Sequence, residues 1–300
     1  SEFWIFTIIR RKLTKKCVSC GKLCTSMSTN NNQNQKTKVK FTDSSKSLFF
    51  STLKQRVDYY FQENNISKNA NATMVIKTIV TTYMIDEVAK KNEISCYNVL
   101  TGFKWISSMI KAKEGKENYV VGGEESFGLM IGNQIRDKDS VSAVALICEM
   151  VAYEKSKGRS IFDKLIDLYV EYGFYKESLV NIVKKGMDGA KEIAKMMEDY
   201  RKNPPKSFIG ANVVQLLDFE LQQGKNLSTG ETWKLDLPKS NVLQFVLADG
   251  TRVSARPSGT EPKIKFYFSV NTALHNAADF NKTEKLLDDK LNALAKEMGV

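Results

Sequence analysis

Arg256, Ser258, Gly259 and Thr260 stand together in Ala255–Tyr267, ARPSGTEPKIKFY. An arginine offers a planar fork that meets two phosphate oxygens at once. Ser258 and Thr260 add hydroxyl donors, and Gly259 lets successive backbone N–H groups turn into one concavity, a nest for an anion. Pro257 and Pro262 stiffen the two sides. Composition alone also admits a plain turn between strands with an exposed arginine. A second stretch, VGGEESFG at Val121–Gly128, puts Glu124, Glu125 and Ser126 in a glycine-bounded turn. Adjacent carboxylates there accept hydrogen bonds from the vicinal hydroxyls of a sugar. Lys104, in LTGFKW at Leu100–Trp105, meets a phosphate or polarises an oxygen. The alternative for VGGEESFG is a helix start in which Glu124 and Glu125 complement the dipole.

These groups need rigid elements to hold them. MVIKTIVTT (Met74–Thr82) is β-branched and predicts a strand, and TYMIDEVAKKNE after it an amphipathic helix. Ser95–Leu100 predicts a strand, Lys104–Lys113 a helix, and Tyr119–Val121 a strand ending at Gly122-Gly123. Helices follow at Ser140–Lys157 and Ser160–Tyr172, and LFFSTLKQRVDYYFQEN upstream spaces Leu53, Val57 and Tyr60/Phe61 at helical intervals. Alternating strands and helices argue for an α/β layer whose ligands sit at loops following strand ends. After Gly173 the pattern changes. Lys176–Lys184 reads as a strand, and Met187–Lys202 as a helix stopped by Asn203-Pro204-Pro205. Short extended pieces come next, at Val213–Leu216, Thr232–Leu237, Val242–Leu247, Arg252–Ala255 and Lys263–Val270. Asp249-Gly250 is a hairpin turn, and Asn281–Met298 a last amphipathic helix. The expected fold is α/β, a mixed α/β layered domain over 48–172 followed by a smaller antiparallel α+β domain over 173–300.

Residues 1–47 read as a basic, low-complexity extension, expected to be disordered because 25–47 hold almost no large apolar groups to offset ordering entropy. The segment 1–56 holds twelve Lys/Arg against Glu2 and Asp43, so it carries nearly all of the formal net charge of +11. The rest of the chain is close to neutral, and nucleic acid is not an expected partner. Cys17, Cys20 and Cys24 lack the second ligand pair that a structural zinc needs, and His275 is the only histidine. Unpaired thiols fit a reducing, cytoplasmic compartment. The apolar run Phe3–Ile9 is too short to span a bilayer, and no membrane association is expected.

TGFKW, GGEESFG, IRDKD (Ile135–Asp139), YVEYGFY (Tyr169–Tyr175) and RPSGTEPKIKFY, in that order and spacing, resemble the C-terminal half of the α-D-phosphohexomutase family. The resemblance is strongest to phosphoglucomutases of the branch that includes phosphopentomutases, and it covers about Leu48 onward. It implies a third domain whose sugar-reading loop is Glu124 and Ser126. It also implies a fourth domain whose phosphate loop is Arg256, Ser258, Gly259 and Thr260, with Lys104 a further substrate contact. Arg136 and Asp137 would support the cleft without touching the ligand. The implied activity interconverts glucose 1-phosphate and glucose 6-phosphate through glucose 1,6-bisphosphate, with Mg2+. Phosphopentomutase and phosphomannomutase specificities remain open.

The same resemblance implies a phosphoserine loop like Thr-Ala-Ser-His-Asn-Pro and a metal loop Asp-x-Asp-x-Asp-Arg, and neither pattern occurs. His275 has no serine before it and no proline after, and Asp137 and Asp139 are followed by Val141. The first ~50 residues are too few for two α/β domains of typical size. The expectation is therefore a chain with sugar-phosphate affinity and little mutase activity alone. The alternatives are a non-catalytic sugar-phosphate-binding module, or a half-enzyme complemented by a chain supplying the N-terminal domains.

Overall fold

A computed structural model describes residues 73–184 and 186–299. The extension at 1–47 and the helix expected over LFFSTLKQRVDYYFQEN lie outside the described residues.

The first unit is a four-stranded sheet in the order β2-β1-β3-β4. Strands β1 (Thr73–Thr78), β2 (Ser95–Val99) and β3 (Asn118–Gly123) run parallel, and β4 (Leu129–Ile131) returns antiparallel to β3. Helix α1 (Met84–Lys91) joins β1 to β2 and helix α2 (Phe103–Lys113) joins β2 to β3. Both form because their apolar residues recur at helical spacing: Met84, Ile85, Val88 and Ala89 in α1, and Phe103, Ile106 and Ile110 in α2, are all buried. Because the three strands are parallel, the loops after β1, β2 and β3 emerge at the same edge of the sheet. That edge is where open α/β sheets hold ligands.

Gly122 is required by packing at that edge. A Cβ there would lie 2.5 Å from the Tyr119 hydroxyl and 2.8 Å from the Ile76 carbonyl oxygen. Gly122→Ala is expected to destabilise the chain by about 1–3 kcal/mol, the usual cost of overpacking. Urea unfolding checks this.

Helices α3 (Ser140–Ser156) and α4 (Ile161–Tyr172) follow. The Asp139 carboxylate caps α3, accepting from Val141 N at 3.0 Å and Ser142 N at 3.3 Å. Ser160 and Asp163 form a reciprocal capping box at the start of α4. Helix α3 has no cleanly polar face: Ala145, Cys148, Val151 and Ala152 are exposed alongside Glu149 and Lys155. Val141 and Val144 remain exposed, as does Phe162 of α4, which is 71% exposed.

The second unit is an antiparallel sheet in the order β5-β12-β11-β10-β7-β8-β9, with β6 (Ser207–Phe208) paired to β7. Its long strands are β5 (Phe174–Val183), β7 (Ala211–Asp218), β10 (Leu243–Leu247), β11 (Arg252–Pro257) and β12 (Lys263–Thr272). Two short ones, β8 (Gln223–Asn226) and β9 (Thr232–Lys234), finish one side. Helices α5 (Gly186–Lys202) and α6 (Phe280–Glu297) pack on one face. Val253, Ala255, Phe266, Phe268 and Phe245 point to that side and are buried with Leu287, Leu291 and Leu294 of α6. The alternate residues Arg252, Ser254, Arg256, Lys265, Tyr267 and Gln244 line the opposite face, as the period of two demands. The polar face meets the first unit.

The architecture is therefore a mixed α/β layer followed by an antiparallel α+β domain, as the sequence predicts. Three strands escape the sequence reading: β4, β6 and β8. Strand β9 stops at Lys234, short of the Leu237 expected. The strand expected over Met74–Thr82 ends at Thr78, and the rest forms a loop. No described helix is long and apolar enough to cross a membrane.

Candidate sugar-phosphate site

VGGEESFG is a hairpin tip and does not begin a helix. Strand β3 ends at Gly123, paired with Leu129 of β4, and Glu124 N donates to Gly128 O at 2.9 Å to close the turn. The dipole account of Glu124 and Glu125 thus falls. Phe127 takes a left-handed conformation at φ 64 and is 95% exposed, with Ser126 exposed beside it. Glu124 and Glu125 turn inward instead. The Glu124 carboxylate accepts from Gly102 N, so the loop after β2 is tied to the loop after β3. The Glu125 carboxylate accepts from Thr78 Oγ1 at 3.1 Å and Thr81 Oγ1 at 3.4 Å, which ties in the loop after β1.

Burial pushes the Glu124 carboxyl above its ordinary range. The Gly102 N–H opposes that, Glu125 adds to it, and Lys138 and Arg256 pull it back. Arg256 acts here from the other sheet. Burial likewise raises the buried Tyr267 hydroxyl, aided by Glu125, while a hydrogen bond with Arg256 lowers it. Arg256, Tyr267, Glu124 and Glu125 therefore occupy one shared electrostatic environment at the junction of the two units.

ARPSGTEPKIKFY is the hairpin joining β11 to β12. Ser258 N donates to Lys263 O at 2.8 Å, closing the tip 258–262. Thr260 N and Glu261 N both point at Ser258 Oγ, at 3.4 and 3.3 Å. These are long hydrogen bonds. Two consecutive amides thus converge on one point that a more strongly accepting anion would claim. A Cβ on Gly259 would meet no atom within 4 Å, so the tip is open. Lys104 lies exposed in the first turn of α2, its Nζ 4.9 Å from the Trp105 ring. Arg136 is directed elsewhere, paired with Glu114 at 2.7 Å, and Asp137 pairs with Lys138.

Several residues of this junction escape the sequence reading. Lys265 sits directly across from Arg256 on the same face of the sheet, two like charges that an anion between them would relieve. Lys77 is fully buried beneath the β1 loop. Its Nζ lies 3.0 Å from Asp86, donates to Thr81 O at 3.2 Å, and faces the Tyr83 ring at 3.8 Å. A lysine inside an apolar strand run was the available signal.

Residues 57–169 match the family model described as phosphoglucomutase/phosphomannomutase, alpha/beta/alpha domain III, and residues 183–277 match the model of that family's C-terminal domain. The chain belongs to the phosphoglucomutase/phosphomannomutase family. Among its relatives is the phosphoglucomutase of Staphylococcus aureus (strain MRSA252), 34% identical over 66% of this chain and 36% of that protein. The phosphoglucomutase of Staphylococcus haemolyticus is 30% identical over 72% of this chain and 38% of its own length. The chain thus spans less than two fifths of these phosphoglucomutases. Among solved structures, pp63/parafusin (phosphoglucomutase) from Paramecium, in its open form, aligns over 78% of this chain and 40% of its own. The TM-score is 0.49 at 23% identity. Family membership supports a Mg2+ requirement at the level of the family. Among the described residues no three His, Cys, Asp or Glu side chains gather where a metal could sit, so these residues do not fit that ion.

Proposed function

We propose that the two hairpin tips bind opposite ends of a phosphorylated hexose, as part of a phosphoglucomutase-type reaction interconverting glucose 1-phosphate and glucose 6-phosphate. Arg256, Lys265, the Ser258 and Thr260 hydroxyls and the amides around Gly259 take the phosphate. Glu124 and Ser126 take sugar hydroxyls, and Lys104 a second anionic or polarised oxygen. The Glu125 carboxylate, already engaged by two threonines, holds the tip in shape. The observation that carries this reading is that the sheet face bearing Arg256 packs against the β1 loop that holds Glu125, with Gln244 Nε2 donating to Ile79 O at 3.0 Å and Thr78 Oγ1 donating to Glu125 at 3.1 Å. A cationic and an acidic loop facing each other suit a ligand with a phosphate at one end and hydroxyls at the other.

The test is calorimetric titration of the purified chain with glucose 1-phosphate, inorganic phosphate and glucose. Glucose 1-phosphate should bind more tightly than phosphate, and glucose should give no heat. Equal affinities for the two phosphates would remove the sugar loop from the reading.

A second reading concerns what completes the site. Val141 and Val144, one turn apart on α3, and Phe162 of α4 are exposed apolar side chains of the kind that another polypeptide covers. Whether further sequence joined to this chain or a separate chain does so, the phosphoryl donor and metal would lie there. Sedimentation velocity with the cognate polypeptide would show a complex.

A further inference from the structure

Between the two loops lies a contact that binds no ligand in the reading above. Gln244, on β10, is 1% exposed and uses every hydrogen-bonding position of its side-chain amide. Its Nε2 donates to Ile79 O at 3.0 Å, in the loop after β1, and to Ser254 Oγ at 2.9 Å, on β11. Its Oε1 accepts from the Tyr83 hydroxyl and from Arg252 Nη1, both at 3.2 Å. The Tyr83 hydroxyl is shared with Ile79 O at 3.0 Å. The Tyr83 ring in turn faces two cations, each 3.8 Å from its centroid: Lys77 Nζ from the first unit and the Arg252 guanidinium from the second.

This knot is surrounded by apolar packing. Ile79, Val80 and Leu100 from the parallel layer are buried together with Phe219, Val242 and Tyr267 from the antiparallel one. Inside that shell, a side-chain amide pulled away from half its partners leaves polar groups unsatisfied, which costs far more than a surface hydrogen bond is worth. The knot therefore favours one relative placement of the two units over a range of looser ones.

Both ends of the contact lead to the site through rigid connections. On one side, the loop that holds Ile79 and Tyr83 also carries Thr81 and follows directly on Thr78 at the end of β1, and the two threonine hydroxyls hold Glu125. On the other, Arg252 and Arg256 stand on the same face of β11 at its two ends. We propose that Tyr83, Gln244 and Arg252 are positioning residues that set the reach between the Glu124–Ser126 tip and Arg256, and so govern binding of ligands that touch both tips. The proposal rests on the sugar-phosphate reading for its ligand, while the knot itself does not.

The experiment uses the full chain and compares Gln244→Leu, Tyr83→Ala and Tyr83→Phe with the wild type. The probes are glucose 1,6-bisphosphate, which reaches both tips, and inorganic phosphate, which reaches one. Gln244→Leu and Tyr83→Ala should weaken the bisphosphate about tenfold or more, leaving phosphate within about twofold. Tyr83→Phe keeps the ring between its cations and should recover most of the affinity. Equal losses for both probes would mean that the variants damage the phosphate loop itself, and unchanged bisphosphate affinity would mean that the reach is set elsewhere. Either result overturns the proposal. A wild-type chain that binds neither probe would sink the sugar-phosphate reading. Hydrogen exchange of the ligand-free chain then decides on the knot. Faster exchange in Gln244→Leu confined to 79–83 and 242–256, with β12 and α6 unchanged, supports it; an unchanged pattern refutes it.

Discussion

Arg256→Ala is expected to lower glucose 1-phosphate affinity about 100-fold, equivalent to about 3 kcal/mol, the scale of a charge-assisted hydrogen-bonded pair lost from a half-buried site. The geometry gives three reasons for so large an effect. Arg256 stands at the end of a paired strand, so its backbone is fixed before ligand arrives. Tyr267 stands beside it on the same face of the neighbouring strand, close enough for the two groups to influence each other. Lys265 opposite supplies charge but no planar fork. Arg256→Lys should therefore recover only a small part of the loss. The comparison is made by calorimetry, with thermal unfolding as the control for folding. A variant that binds as the wild type does would remove the arginine from the site.

Asp86→Ala should be the most destabilising of the simple substitutions near the junction, at about 3 kcal/mol, because it leaves a buried lysine without its counter-charge. Lys77 is completely buried, and Asp86 lies 3.0 Å from its Nζ while also accepting from Asn98 Nδ2 at 2.8 Å. Removing the carboxylate leaves the ammonium with the Thr78 and Thr81 carbonyls and the Tyr83 ring. Lys77→Met removes the charge while keeping the length of the chain, and should cost less than Asp86→Ala. That ordering, read from urea midpoints, separates an uncompensated charge from simple loss of packing. The reverse ordering would mean that the lysine stem matters more than its charge.

Much of the architecture is legible in the sequence because local pattern and tertiary environment agree. Met74–Thr78 is a β-branched, apolar run and forms the central parallel strand, where both faces are buried. Gly122-Gly123 marks the end of β3, as a close backbone approach requires. Failures come where pairing is decided at a distance. Gln223–Asn226 has no apolar residue, yet it is a strand because Gly224 leaves room for the Trp233 ring against its backbone. Thr81 and Thr82 have strand-forming side chains but turn away at Thr78, where the loop packs on the second unit.

The site shows the same division. Both hairpin tips can be found as motifs, since glycine, proline and carboxylate spacing are local facts. Their supports cannot, because Glu125 is held by Thr78 from far along the chain and Tyr83 meets Gln244 from the other sheet. The clue available was polarity out of place: Lys77 and Gln244 each interrupt an apolar strand. A lone polar residue at such a position is worth treating as half of a pair whose partner is yet to be found.

Strand β5 has a further consequence, in the order of events during synthesis. All ten of its residues pair with β12, from Phe174 with Thr272 to Val183 with Lys263, although it precedes β12 by roughly ninety residues. Strands β10, β11 and β12 are joined by short turns and can meet as soon as they leave the ribosome. Strand β5 leaves well before them and has no edge to join until β12 exists. During that interval Leu179, Val180 and Ile182 are an unpaired, β-prone segment, and the speed of translation through the remaining strands sets how long it stays so.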